Sequence, residues 1–243
     1  MLEGSNLRGQ LIAFIPARGG SKGIKRKNLM KIGNETLVEI AIKSAIESKI
    51  FNFVIINSED TEIRDLVHSK FSDHKQIIVQ DRPEEYWHDN TIQEVDRLIE
   101  WSIKKFEKEH STQVDEIVLL YPTAPLRKSN NIIEAFEIYQ KYQFDSLLSV
   151  TESREYLWKI GPNNSMLGPI NYSPFKRGPN QLEGWNQWKE NKSIYIFKKH
   201  LLEEGARIGG KVGFYEMDKI SSIDIDTIAD LELARHIYES KKY

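Results

Sequence analysis

Residues 14–29 read FIPARGGSKGIKRKNL, with glycines at 19, 20 and 23 among Arg18, Lys22, Lys25, Arg26 and Lys27, directly behind a short apolar run. Glycine lacks a Cβ, so backbone amides at these positions can come close to phosphate oxygens, and Arg18, Lys22 and Lys27 can neutralise their charge. Taken alone, the stretch also suits a solvated basic turn or a nucleic-acid arm. Its glycine spacing is neither that of a Walker A loop nor that of a dinucleotide site. Near the other end of the chain stands a second chemical pair, Asp224 and Asp226. Alternation along a strand would turn both carboxylates to one face, where they could share one divalent cation. Such a pair also suits plain solvated acids ahead of a helix. No general base stands out among the 6 histidines.

These residues need a scaffold, and the hydropathy pattern supplies one. Short apolar runs at 11–16, 53–57, 76–80, 116–121 and 146–150 alternate with helical periodicity at 37–48, 61–69 and 91–105 and over NNIIEAFEIYQKY. Apolar strands separated by helices predict an α/β fold. Its sheet is mostly parallel and Rossmann-like, is covered by helices on both faces, and binds ligands beyond the carboxyl ends of its strands. Between about 152 and 190 the period is lost and Trp158, Trp185 and Trp188 appear. That segment reads as an insertion arm or as a long surface loop. Strands at 193–197 and 212–217 and a closing helix at 227–238 follow, with Thr227 and Asp230 spaced as a capping pair.

The 243 residues are enough for one such domain over 1–243. Lysine plus arginine total 34 against 36 acidic residues, a net charge of −2, which speaks against a surface devoted to nucleic acid. Cysteine is absent, excluding thiol catalysis, thiolate metal sites and disulfides. The polar start MLEGSNLRGQ and the lack of any long apolar window lead to the expectation of a soluble, cytoplasmic protein without a membrane partner.

The stretch IPARGGSKGIKRKNL resembles the nucleotide-binding signature of the CMP-sialic acid synthetases, the acylneuraminate cytidylyltransferase family. Three further blocks follow in the family's order: RPEEYWHDNT at 82–91, LLYPTAPLR at 119–127 and SIDIDTIADLELA at 222–234. A weaker echo is NKSIYIF at 191–197, where the family has an Asn-Gly pair before the strand. The resemblance implies a nucleotidyltransferase sheet and transfer of a cytidylyl group from CTP to a 2-keto-3-deoxy sugar acid, with release of pyrophosphate. Carried over residue by residue, it implies that Ala17, Arg18, Gly19, Gly20, Ser21, Lys22, Lys27 and Asn28 hold the nucleotide. Lys27 falls near the α-phosphate, and Arg82 and Asp89 near cytosine. Asp224 and Asp226 would hold Mg2+ (or Mn2+). Arg18, Lys27, Asp224 and Asp226 form the catalytic set, and His88 is the one histidine inside a matching block.

On the sugar side, Tyr121 and Thr123, Lys159, Tyr195 and either Arg177 or Gln181 take the family's positions. Here the chain departs from the pattern. Tyr121 replaces a glutamine, Ala124 replaces a serine, and the usual arginine-containing stretch before the Asn-Gly position is missing. The departures favour a relative of sialic acid, such as legionaminic or pseudaminic acid. Alternatives are a cytidylyltransferase for 3-deoxy-manno-octulosonate or a non-sugar acid, a GT-A-like glycosyltransferase, and a non-catalytic nucleotide-binding module. The resemblance also implies a homodimer in which segment 152–190 crosses to the partner and helps close its sugar site.

Overall fold

The computed structural model of the chain describes residues 9–21, 23–87, 91–173, 175 and 187–240. Lys22, His88, Asp89, Arg177, Gln181 and Trp185 lie outside the described residues. The first strand, β1 (Gln10–Pro16), is buried from Leu11 onward. Its side chains alternate between two cores, Leu11, Ala13 and Ile15 on one face and Ile12 and Phe14 on the other. That is what a strand covered on both sides demands, and it explains the unbroken apolar run in the sequence.

After the basic loop come a two-residue antiparallel pair, β2 (Lys31–Ile32) and β3 (Glu35–Thr36), and helix α1 (Leu37–Ser48). Helix α1 begins where the periodicity begins. Thr36 accepts from the Glu39 N–H, and the Glu39 carboxylate reaches back to the Thr36 N–H, so two orphan donors are satisfied. The chain continues through β4 (Phe53–Ser58), α2 (Thr61–Lys70), β5 (Ile77–Asp81), α3 (Ile92–His110), β6 (Val114–Leu119), α4 (Ser129–Tyr142) and β7 (Ser146–Glu152). The last part holds β8 (Trp158–Ile160), β9 (Met166–Pro169), β10 (Trp188–Lys198), α5 (His200–Glu203), β11 (Val212–Glu216) and α6 (Ile228–Glu239).

Among the described residues, seven strands form one sheet in the order β11-β7-β10-β6-β1-β4-β5. Strand β10 is antiparallel to both β6 and β7, and the other pairings are parallel. Helices α1, α2 and α4 pack on one face through Val38, Ile42, Ile63, Val67, Ile132 and Ala135. Helix α3 covers the other through Val95, Leu98, Ile99, Ile103 and Phe106, joined by Leu201 and Leu202 of α5. Each fully buried side chain of this size contributes about 1.5–3 kcal/mol.

In and after the segment expected to be irregular, the structure departs from the sequence expectation in two places. Residues 193–197 are the end of a longer strand, β10, which starts at Trp188 inside the segment expected to be irregular. Earlier in that segment, β8 and β9 form an antiparallel hairpin around a turn at Pro162–Asn164. Every residue of β8 is exposed, so no hydrophobic alternation marks it in the sequence.

Candidate active site

The strand order places β1 between β4 and β6. From β1 the chain first builds outward through β4 and β5, and the second half begins on the opposite side with β6. The loops after β1 and β6 therefore diverge, and an α/β sheet opens a crevice where its order reverses in this way. A cleft of about 510 Å³ lies there, lined by Arg18, Ser21, Lys27 and Asn28 from the first loop and by Tyr121 and Thr123 from the second. Asp226 completes it. The second loop is held by buried Arg127, whose guanidinium donates to the carbonyls of Ser193 (2.8 Å) and Tyr121 (3.2 Å).

Two distant motifs are brought together by a small third core. Ile24 of the basic loop and Ile225, the residue between the two aspartates, share a buried cluster with Ile32, Leu37, Leu126, Leu231 and Ala234. Burial of these isoleucines sets the loop against the acidic segment. A Cβ on Gly23 would stand 2.5 Å from the Asp226 carbonyl oxygen, so the approach requires glycine. The ammonium of Lys27 then donates to the Ile225 carbonyl (2.5 Å) and lies 3.3 Å from Asp226 Oδ1. Asn28 is buried beside it and donates to the Arg18 carbonyl (2.8 Å), which closes the turn.

The glycine amides differ from the phosphate-facing expectation. Gly19 N–H (2.7 Å) and Gly20 N–H (3.3 Å) both donate to Oε1 of Glu59, just beyond β4, and Ser21 N–H donates to the Gly19 carbonyl (3.0 Å). Ala17 is buried and donates to the Asn57 carbonyl (2.9 Å). Carboxylate and phosphate oxygens suit the same amide donors, so Glu59 engages the anion-binding concavity from within the chain.

Asp224 and Asp226 do not lie in a strand, which corrects the alternation expected from their spacing. They sit in an irregular stretch between β11 and α6. Its one backbone tie to the neighbouring loop is the bond from Ile225 N–H to the Thr123 carbonyl (2.8 Å), too little to make a ladder. The carboxylates nonetheless converge on one cation: Lys192 Nζ lies 2.9 Å from Asp224 Oδ2 and 3.4 Å from Asp226 Oδ2. Burial pushes the Asp226 carboxyl up, but Lys192 and Lys27 outweigh it and hold it below the usual range. Asp224 Oδ1 is buried without a hydrogen-bond partner. Asp226 also lines a second cavity of about 650 Å³, together with Glu152, Arg154, Lys192 and Asp224. An orphaned carboxylate oxygen beside a second carboxylate suits a hard divalent cation. No cluster of three or more His, Cys, Asp or Glu occurs among the described residues, so a cation here would draw further oxygens from substrate and water.

The remaining expected residues are scattered. The Arg82 side chain is 0 % exposed. Its Nε donates to Asn57 Oδ1 (2.9 Å) and its Nη2 to the Asn57 carbonyl (3.2 Å), tying the ends of β4 and β5 together. It is not among the residues that line the cleft. Lys159 is exposed on β8 and lines neither cavity. Tyr195 is buried, donates to Glu190, and has the Arg207 guanidinium 5.3 Å above its ring. Tyr121, which does line the cleft, accepts from Arg207 Nη1 (3.1 Å).

Motif reading missed Lys192, which lines the second cavity, and Arg207, Asp96 and Glu59, which support the cleft's loops without lining it. Arg207 pairs with Asp96 at 2.6 Å with both side chains buried. Burial opposes the guanidinium's charge, yet Tyr121 and Asp96 outweigh it and keep it protonated. A single signal was available, the lysine of NKSIYIF at the position where the resembled family has glycine.

The sequence profile of the family described as Cytidylyltransferase matches residues 12–243. An N-acylneuraminate cytidylyltransferase of Escherichia coli is 32% identical over 241 residues, covering 97% of this chain and 54% of the relative. The N-acylneuraminate cytidylyltransferase A of Danio rerio is 31% identical over 224 residues, covering 91% and 49%. The chain thus spans about half the length of these two curated relatives. A pseudaminic acid cytidylyltransferase of Campylobacter jejuni is 27% identical over 233 residues and matches at nearly full length, 94% and 96%. Among solved structures, a CMP:2-keto-3-deoxy-manno-octonic acid synthetase complexed with CTP superposes with a TM-score of 0.65 at 14% identity, covering 96% of this chain and 99% of that one. A 4-diphosphocytidyl-2C-methyl-D-erythritol synthase from Anaerococcus prevotii gives 0.67 at 12%, covering 95% and 96%. These two likenesses bear on the fold, a mostly parallel nucleotidyltransferase sheet. With its basic loop, second loop and acidic pair meeting in one crevice of that sheet, the chain belongs to the cytidylyltransferase family.

Proposed function

We propose that the chain transfers the cytidylyl group of CTP to a 2-keto-3-deoxy sugar acid of the nonulosonic class. An oxygen of the sugar's anomeric hydroxyl attacks the α-phosphorus, the bond to the β-phosphate breaks, pyrophosphate leaves and the hydroxyl proton passes to solvent. The observation that carries this reading is the meeting of Lys27 with Asp226 at the mouth of the switch-point cleft. A cation on the basic loop there faces a carboxylate pair suited to a metal, which is the charge arrangement a triphosphate substrate requires. Arg18, Lys22 and Ser21 hold the phosphates in this reading, and Lys27 offsets the charge that changes at the α-phosphate. Asp224 and Asp226 hold Mg2+ or Mn2+, which when bound neutralises the triphosphate.

The relatives named for N-acylneuraminate and pseudaminic acid support the acceptor class. Tyr121, fixed by Arg207 and lining the cleft, supports an acceptor other than N-acetylneuraminate itself, because a phenol is bulkier than the glutamine it replaces. We place the reaction in the cytoplasm, where CTP is available. No helix among the described residues is long and apolar enough to cross a membrane. The active form in this reading is a homodimer. The decisive experiment measures pyrophosphate release with CTP, magnesium and a panel of N-acetylneuraminate, legionaminic, pseudaminic and 3-deoxy-manno-octulosonic acids. Release with one of the first three establishes the reading. Release only with the last, or with none, overturns the acceptor class.

A further inference from the structure

We infer that Lys192 is a tethered cation that occupies the place between Asp224 and Asp226 and must be displaced when a divalent cation enters, an inference that rests on the metal role proposed above for that pair. Its ammonium bridges both carboxylates, at 2.9 and 3.4 Å. The backbone at this residue is the second observation. Lys192 has φ 56, in the left-handed region that glycine enters freely and a lysine does not. It sits where the pairing of β10 with β7 is interrupted, between Glu190 and Tyr195.

The residue before it is anchored on three sides. Asn191 Nδ2 donates to Ser222 Oγ (2.9 Å), and its Oδ1 accepts from Ser149 Oγ (2.5 Å) and from the Ser193 N–H (3.1 Å). The Lys192 backbone is thus fixed relative to the acidic segment, and the strained conformation aims its stem at the two carboxylates.

Lys27 also touches Asp226, but it is bound to the Ile225 carbonyl as well and is 13% exposed. Lys192 is 53% exposed, on a flexible stem, and it lines the second cavity beside both aspartates, which leaves it open space in which to move aside. An ammonium and a divalent cation repel strongly at the separations that shared carboxylate oxygens impose, so both cannot stay. Lys192 therefore weakens metal binding in the free protein and withdraws once the metal is held.

The test is direct binding of Mn2+ to the full chain without nucleotide, read from the electron paramagnetic resonance of the free aqueous ion. The expected result is that Lys192→Met binds manganese roughly two- to fivefold more tightly than the wild type, the range that a partly exposed ion pair supports. Lys192→Arg, which keeps the charge, should stay near the wild type, and the gain should shrink when Lys192→Met is made on top of Asp226→Asn. Circular dichroism checks the fold, and Lys192→Gly, which relieves the backbone, repeats the comparison if the methionine variant misfolds. Equal or weaker binding by the uncharged variants, with manganese held by all forms, overturns the competition and leaves the metal pair standing. Absence of binding to every form overturns the competition and the metal assignment together, whatever the turnover with CTP.

Discussion

Lys27 illustrates how one side chain is placed by residues that carry no chemistry. Its ammonium is pinned by the Ile225 carbonyl and by Asp226, and those partners stay in reach because Ile24 and Ile225 are buried in one cluster. A preorganised cation of this kind stabilises charge that shifts in the transition state more than charge already present in the bound substrate. Lys27→Ala is therefore expected to lower turnover by on the order of 10²-fold while CTP affinity falls much less. Steady-state kinetics beside calorimetric CTP titration makes the comparison. Near-normal turnover in a well-folded variant would return the basic loop to a solvated patch. Glu59 shows the opposite case at the same scale. It is one acidic residue among many in the sequence, and only the adjacency of β4 to β1 brings it under the Gly19 and Gly20 amides.

At the scale of elements, α3 and the segment before β11 are joined by the buried Arg207–Asp96 pair, and the outer side of the guanidinium supports Tyr121. Arg207 Nη2 also donates to the Ile92 carbonyl (3.2 Å), at the first turn of α3. Removing one member leaves the other charge buried and unpaired, so Arg207→Met should destabilise the fold by about 3–5 kcal/mol. Replacing Asp96 by leucine in the same chain should restore much of that loss, and urea denaturation of the three proteins measures both steps. A loss below about 1 kcal/mol for the single variant would show that the pair is not what joins these elements. This contact also marks the limit of what the sequence makes legible. Helix α1 is visible because its apolar period is local. The parallel strands are visible because burial on both faces leaves continuous apolar runs. Arg207 and Asp96 stand 111 residues apart, and no periodicity links them. The acidic pair was misplaced as structure, because spacing of two suggests a strand, whereas the Ile225–Thr123 backbone bond, the Lys27–Ile225 bond and the burial of Ile225 hold the segment. Exposed β8 leaves no period to find, and Lys192 is evident only as a departure from glycine.

At the scale of the whole molecule, the hairpin of β8 and β9 raises the question of what covers it. Leu157, Trp158, Ile160, Met166, Leu167 and Ile170 are all exposed along it and at its ends. A two-stranded hairpin is marginal in water unless it packs on something, and a run of large apolar side chains of this kind marks an interaction surface. A second copy of the chain is the occupant the proposed homodimer requires, with the aromatic and aliphatic side chains of the hairpin at the centre of the interface. Ile160→Glu together with Leu167→Glu places two charges where that interface would be dry, while both side chains are already exposed, 73% and 60%, in the single chain. The fold should therefore survive and the assembly should not. The expected outcome in sedimentation equilibrium is a wild-type dimer and a variant shifted toward monomer by at least tenfold in dissociation constant, a loss of about 1.4 kcal/mol or more. If the arm also closes the partner's sugar site, the variant should lose affinity for the sugar acid more than for CTP, which separates a shared site from a merely structural dimer. A wild-type chain that stays monomeric at assay concentration and turns over fully would remove both ideas, and it would leave the cleft between the loops after β1 and β6 as a site each chain completes alone.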